Sequence, residues 1–138
     1  MTGETLVKVA LELVGTPFRL HGRDPATGLD CIGVIAAALG ACGRQAELPN
    51  GYALRNRRLP EFGAFAAGCG LVAVTGPVAA GDVLLVQSGP GQFHLLIAAG
   101  NGGFIHAHAG LRRVVRSEAP LDWPVIAHWR LAPPAIEE

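Results

Sequence analysis

The chain begins with apolar residues at helical spacing. Leu6, Val9 and Leu13 fall on one face of a helix, and the Gly-Thr-Pro sequence at 15–17 contains residues that commonly end one. A second run, at 31–41, is apolar on every side, which indicates a helix buried in the centre of the core. The pattern therefore predicts two helices in the N-terminal third of the chain, the second more deeply buried than the first.

After residue 81 the pattern changes to short runs that are typical of β-strands. Asn101-Gly102-Gly103, between two of these runs, is typical of a tight hairpin turn. The predicted strands lie at 83–86, 93–99, 104–107, 114–116 and 125–131. Residues 44–76 have the weakest pattern, and we predict only a short helix there, at 52–65. Helices followed by a strand meander predict an α+β fold.

Length and composition are those of one globular domain, spanning residues 1–138. Apolar residues make up 50% of the chain, which excludes a disordered protein. Eleven basic residues balance eleven acidic ones, so the formal net charge is 0. Electrostatic binding to nucleic acid needs a clustered excess of basic residues, and we therefore expect no nucleic-acid partner. Charged residues are only 16% of the chain, which indicates a surface partly covered by a protein partner.

The cysteines and the N-terminal residues indicate the cellular compartment in which the protein is made. Cys31, Cys42 and Cys69 form an odd and sparse set, which predicts free thiols in a reducing compartment rather than a disulfide framework. The first residues have neither the basic nor the apolar segment of a secretion signal. No stretch reaches the roughly 18 apolar residues of a membrane span. We therefore expect synthesis in the cytoplasm and no membrane span, and no cofactor is indicated.

Cys31 stands at the predicted start of the buried helix, directly after Asp30. Asp is a favoured N-cap, and the free N–H groups and positive dipole end of a helix N-terminus stabilise both a thiolate and an oxyanion. We therefore expect a lowered thiol pKa at Cys31, which makes it a candidate nucleophile. From this segment alone the alternative is a small buried apolar residue, a common role of cysteine. We give that interpretation to Cys42 and Cys69.

Two histidines stand on neighbouring predicted strands. The hairpin turn folds the strand that carries His106 back beside the strand that His94 opens, so the two rings can be neighbours. A Cys–His pair oriented by a third polar group is the general arrangement of an activated thiol nucleophile. The alternative is a zinc site that adds His108, but no pair among these residues has the compact spacing of a common zinc motif. His21 lies in the loop before Cys31 and can line a cleft.

Five segments carry a resemblance to a known family. In chain order they are GTPFRLHG at 15–22, GLDCIG at 28–33, AGDVL at 80–84, HLLI at 94–97 and NGGFIHA at 101–107. Together, over about residues 5–131, they resemble the NlpC family of papain-like cysteine peptidases, which cut the peptide stems of bacterial peptidoglycan. The resemblance implies a small α+β domain in which the cysteine helix packs on a five- or six-stranded antiparallel sheet. It also implies that Cys31 is the nucleophile, His94 the general base and His106 the residue that orients His94.

The chain departs from the family's usual pattern near the first two segments. Phe18 stands where the family usually has a Tyr that is implied in the oxyanion site, and Leu20-His21 stands where Trp-Gly is usual. Ile32 replaces a small polar residue. A Phe ring cannot donate a hydrogen bond, so we expect slow turnover unless His21 supplies the donor. Phe18, His21 and Asp30 are therefore further candidates for the oxyanion site or the cleft.

Three functions remain open at this point. The first is a cysteine endopeptidase acting on peptidoglycan, by implication at γ-D-glutamyl–diamino-acid bonds. Without an export signal or wall-binding repeat, the chain resembles the stand-alone branch of phage and gene-transfer-agent tails, which implies tail proteins as partners and a place in a phage-like particle. The second function is a structural or wall-binding tail component with weak or no catalysis, and the third is an amidase or acyltransferase acting on a non-wall substrate. The intact set of Cys31, His94 and His106 favours the first.

Overall fold

The computed structural model describes residues 3–20, 22–43, 63, 66–90, 92–118 and 123–132. His21 and, apart from Gly63, the helix predicted at 52–65 lie outside the described residues. The helices and strands are α1 (Gly3–Glu12), β1 (Arg23–Asp24), β2 (Gly28–Leu29), α2 (Cys31–Ala41), β3 (Leu71–Ala73), β4 (Val83–Gly89), β5 (Gln92–Gly100), β6 (Gly103–His108), β7 (Arg113–Glu118) and β8 (Val125–Leu131). Among these residues, no helix is long and apolar enough to cross a membrane.

Six strands form one antiparallel sheet in the order β3-β8-β4-β5-β6-β7, and β1 pairs with β2 separately. The predicted α+β class with an antiparallel sheet is confirmed. The five predicted strands correspond to β4 through β8. Strand β3 was not predicted, because its three residues are too few to show a periodic pattern.

Helix α2 begins where the sequence predicts. The carboxylate of Asp30 accepts a hydrogen bond from the Gly33 N–H at 2.8 Å and forms an ion pair with Arg23 at 3.0 Å, so the buried cap is also neutralised. A Cβ on Gly33 would lie 2.2 Å from the carbonyl oxygen of Gly22, so glycine permits the loop to pack on the first turn. The helix buries most of its side chains: Cys31, Ile32, Val34, Ile35, Ala38 and Leu39.

Strand β5 separates two parts of the core. Leu95 and Ile97 belong to the cluster that contains Cys31, whereas Leu96 and Ala98 belong to a second cluster. This is the alternation that a strand buried on both faces requires. Leu95, the residue that follows His94, therefore lies on the face of β5 that packs towards α2.

The turn between β5 and β6 has the geometry that its sequence predicts. Asn101 and Gly102 have φ angles of 52° and 78°, and positive φ at both central residues is the requirement of the type I′ hairpin turn. The turn sets Ile97 opposite Ile105, and β7 then pairs along the far edge of β6. Strands β5, β6 and β7 are therefore neighbours in the part of the sheet that carries His94.

Candidate active site

The thiol of Cys31 lies at the first turn of α2 with 1% of the residue exposed. The backbone of Leu95 and the backbone of Ile32 hydrogen-bond to it. The first of these bonds joins the start of the helix to β5, one residue beyond His94. The structure therefore places the candidate nucleophile beside the backbone of the candidate base.

Burial determines the protonation of Cys31. Removal from water raises the pKa of the thiol to about 12; the Asp30 carboxylate adds to the rise, while the backbone bonds and the Arg23 charge oppose it. Our prediction of a lowered pKa is therefore wrong, because the cost of desolvating a thiolate exceeds the stabilisation that the helix N-terminus provides. At neutral pH Cys31 is a neutral thiol that needs a base.

The two histidines form the pair that the sequence predicts. Nε2 of His94 lies 2.9 Å from Nδ1 of His106, with the ring centroids 5.0 Å apart and nearly perpendicular planes. Nε2 of His106 lies 2.9 Å from the hydroxyl oxygen of Ser117 on β7. These contacts leave Nδ1 of His94 as the ring nitrogen that can act on a proton.

Both rings are uncharged in their surroundings. Burial, with a further contribution from the proximity of His106 and His108, lowers the pKa of His94 to about 3. Burial, with His108 again contributing, lowers the pKa of His106 to about 4. The Trp123 ring contributes to this burial, with its centroid 5.9 Å from that of His94 and 6.2 Å from that of His106. A neutral imidazole is the form that accepts a proton.

A cleft of about 230 Å³ opens at this end of the sheet. His94 and His106 form one part of its wall, and Phe18 and Trp123 provide aromatic surface. Its full lining is Phe18, Ser88, His94, His106, Ala107, His108, Ala109, Gly110 and Trp123. The cleft is therefore mainly apolar, with Ser88 and three histidines as its polar residues, as in many small-molecule and substrate sites.

The structure does not join all the candidate residues directly. Among the described residues no hydrogen bond links the Cys31 thiol to the His94 ring, and Cys31 does not line the cleft. Catalytic hydrogen bonds in ligand-free enzymes are often long and shorten only when substrate binds. Asp30, a candidate for the oxyanion site or cleft, is fully buried as the cap of α2. Phe18 lines the cleft as expected.

Two site residues were missing from the sequence interpretation. Ser117 forms the outer end of the histidine chain, and Trp123 covers both rings. Ser117 lies diagonally across from His106, whose direct partner on β7 is Val115. Only the strand register identifies it, because a single serine at the end of a short strand has no distinctive pattern.

The zinc alternative has no geometric support among the described residues. No group of three or more His, Cys, Asp and Glu side chains there is arranged to hold a metal ion. Two of the proposed ligands, His94 and His106, use ring nitrogens to bond to each other.

Several proteins of known structure have a similar fold. The sequence matches no family model and no curated protein. The NlpC/p60 domain of the peptidoglycan hydrolase SagA is 29% identical, with a TM-score of 0.59 over 86% of this chain and 90% of that domain. NlpC2 from Trichomonas vaginalis (18% identity, TM-score 0.69) and an NlpC/p60 family protein from Bacillus cereus (22%, 0.67) match over 93% and 96% of this chain. This chain spans 45% and 41% of those two longer chains. The protein has the NlpC/p60 fold.

Proposed function

We propose that the protein is a cysteine peptidase of the NlpC/p60 type that hydrolyses the peptide stems of peptidoglycan. The observation that carries the proposal is the hydrogen-bonded pair of His94 and His106 beside the strand backbone that binds the Cys31 thiol. The likeness to the SagA domain, a part of a peptidoglycan hydrolase, supports the choice of substrate.

The proposed reaction begins with a neutral pair. As the thiol sulfur attacks the scissile carbonyl carbon, Nδ1 of His94 takes the thiol proton and becomes part of an imidazolium. At the start of α2 the N–H groups of Gly33 and Val34 are bonded to Asp30, so the Cys31 N–H is the backbone donor that stabilises the oxyanion of the tetrahedral intermediate. His94 then gives its proton to the leaving amine as the C–N bond breaks, which leaves a thioester on Cys31.

Hydrolysis of the thioester restores the enzyme. His94, neutral again, takes a proton from water while the water oxygen attacks the thioester carbonyl. The proton returns to sulfur as the C–S bond breaks, and a carboxylic acid leaves. His106 holds the ring of His94 through both halves of the cycle by the 2.9 Å hydrogen bond.

The bond cleaved is part of the proposal. The family resemblance of Cys31, His94 and His106 favours the bond between γ-D-glutamate and the diamino acid of the stem. The test is digestion of purified sacculi followed by mass analysis of the soluble products. We expect fragments with a new N-terminus at the diamino acid. Fragments that begin at the first stem residue would show an amidase instead. If sacculi release nothing while non-wall acyl substrates are converted, the protein is an amidase or acyltransferase acting on a non-wall substrate.

We also propose that the protein acts from a phage-like tail. The support is the low proportion of charged residues, 16%, which fits a surface that is partly covered in an assembly. Fractionation of particles by density tests this role. We expect the protein to co-sediment with tail proteins, and a pool that never co-sediments with particles would contradict the role without affecting the peptidase proposal.

A further inference from the structure

A chain of hydrogen bonds crosses three strands at the site. It runs from Nε2 of His94 to Nδ1 of His106, and from Nε2 of His106 to the hydroxyl oxygen of Ser117, with both contacts at 2.9 Å. The middle ring is buried, since His106 is 3% exposed. A buried ring nitrogen without a partner is costly, so the partner that Ser117 supplies affects the proton arrangement of the whole chain.

Two proton arrangements fit these distances. In the first, His94 donates from Nε2–H to His106, and His106 donates from its own Nε2–H to Ser117. In the second, every bond is reversed: Ser117 donates to His106, and His106 donates from Nδ1–H to His94. Because a neutral imidazole carries one N–H, the second arrangement puts the proton of His94 on Nδ1.

Only the first arrangement supports the proposed reaction. It leaves Nδ1 of His94 with a free lone pair, which can take the thiol proton. The second leaves an N–H at that atom, which cannot. A triad with the wrong histidine tautomer keeps its geometry and still loses most of its activity.

We propose that Ser117 is a positioning residue: its hydroxyl oxygen accepts the Nε2–H of His106, so that Nδ1 of His106 stays an acceptor for His94. The inference rests on the proposed function, because it concerns which nitrogen of His94 serves as the base. Ser117 is half-buried, so its own O–H can donate to water while its oxygen accepts from the ring. It touches neither the nucleophile nor the scissile bond and acts through His106.

The test compares Ser117→Ala with Ser117→Thr, which keeps the hydroxyl, and with Glu118→Ala. Glu118 is the next residue on β7, exposed on the opposite face of the strand, so its removal controls for disturbance of the strand. Two readouts are needed. One is nitrogen-15 NMR of the histidine rings, which identifies the protonated nitrogen without substrate, and the other is kcat and KM for release of peptide from sacculi.

We expect Ser117→Ala to lower kcat by about 10- to 100-fold with KM within about twofold, and to move proton density of His106 from Nε2 towards Nδ1. Ser117→Thr should keep both kcat and the proton position on His106 close to those of the wild type, and Glu118→Ala should change neither quantity. An unchanged tautomer and kcat in Ser117→Ala would overturn the inference. So would a Thr variant that is as slow as the Ala variant although it is folded.

The two readouts separate this inference from the proposed function. If the wild type releases no peptide from sacculi, the proposed function is wrong, and the NMR comparison still decides whether Ser117 sets the tautomer of His106. If the wild type is active and Ser117→Ala is equally active, only the positioning role of Ser117 is wrong.

Discussion

At the scale of single residues, Cys31 and His94 both lie in surroundings that favour their uncharged forms. The raised pKa of the thiol and the lowered pKa of the imidazole have the same main cause, which is removal from water. The resting site therefore combines a neutral thiol with a neutral base rather than a preformed ion pair. The negative charge on sulfur then develops during attack on the substrate.

The first prediction concerns the acid limb of activity. His94 and His106 must be neutral, and their pKa values of about 3 and about 4 mean that protonation begins only as pH falls towards 4. The acid limb of kcat/KM, which reports the free enzyme, should lie well below the usual histidine value of about 6.5. An acid limb near 6.5, in protein shown by circular dichroism to be folded, would contradict the proposed environment of the pair.

Trp123→Ala provides a matched variant for this measurement. Removal of the indole admits water to both rings and weakens the desolvation that lowers their pKa values. We expect the acid limb to move to higher pH in this variant. An acid limb that stays in place would show that Trp123 does not shield the pair.

The second prediction concerns Phe18 on the wall of the cleft. A Tyr hydroxyl at this position could donate to the oxyanion, and loss of one such donor typically costs on the order of 100- to 1000-fold in kcat. Phe18→Tyr should therefore raise kcat by at least about tenfold with little change in KM, whereas Phe18→Leu should give no gain. Steady-state kinetics on soluble wall fragments measures this. If Phe18→Tyr changes nothing and His21→Ala lowers kcat sharply, His21 is the donor instead.

At the scale of elements, the start of α2 depends on a close backbone approach. A Cβ on Gly33 would lie 2.2 Å from the carbonyl oxygen of Gly22, whereas a Cβ on Gly40, in the same helix, would meet nothing within 4 Å. The two glycines therefore form a matched pair. Gly33 permits the loop at Gly22 to pack against the helix turn that carries Cys31. Gly40 lies on the exposed side of the helix, where a side chain would fit.

The third prediction follows from this contrast. Gly33→Ala should lower the free energy of unfolding by about 1–3 kcal/mol, because a backbone atom must move. Gly40→Ala should raise it by about 0.5–1 kcal/mol through better helix propensity. Urea unfolding measures both. Equal effects of the two substitutions would show that the loop does not pack against the first turn of α2 as described.

The element scale also shows what the sequence could and could not predict. The limits of α2 and the hairpin at Asn101 were predicted correctly, because capping and turn residues act locally. The short strands β1, β2 and β3 were not predicted, since two or three residues form a strand only when a distant partner is present. The site follows the same rule: His94 and His106 were predicted from one hairpin, and Ser117 was not because it requires the register of a third strand.

At the scale of the whole molecule, the buried carboxylate of Asp82 links the start of β4 to the neighbouring strand β8. Asp82 is fully buried before β4 and accepts hydrogen bonds from Arg130 at 2.8 and 2.9 Å, from His128 at 2.6 Å and from the Ala79 N–H at 2.8 Å. Burial alone would raise the pKa of Asp82. The bonds from Arg130, Ala79 and His128 outweigh it, so the net pKa lies below the usual carboxyl value.

The fourth prediction uses this lowered pKa. A carboxyl whose folded pKa is depressed contributes stability above its unfolded pKa, about 3.9, and loses that contribution as pH falls through the folded value. Asp82→Asn should therefore lower the free energy of unfolding by about 1–3 kcal/mol at pH 7. The difference from the wild type should shrink below about pH 4. A difference that is the same at pH 7 and pH 3 in urea unfolding would contradict an ionised Asp82 as its source.

The central claim is that Cys31 attacks peptide bonds of the cell wall, and the most direct measurement is release of stem peptides from purified sacculi by three proteins. Wild type and Cys42→Ala should release peptides at similar rates, because Cys42 lies at the far end of α2. Cys31→Ala should release none while its melting temperature stays close to that of the wild type. Release by a folded Cys31→Ala variant at the wild-type rate would contradict the account.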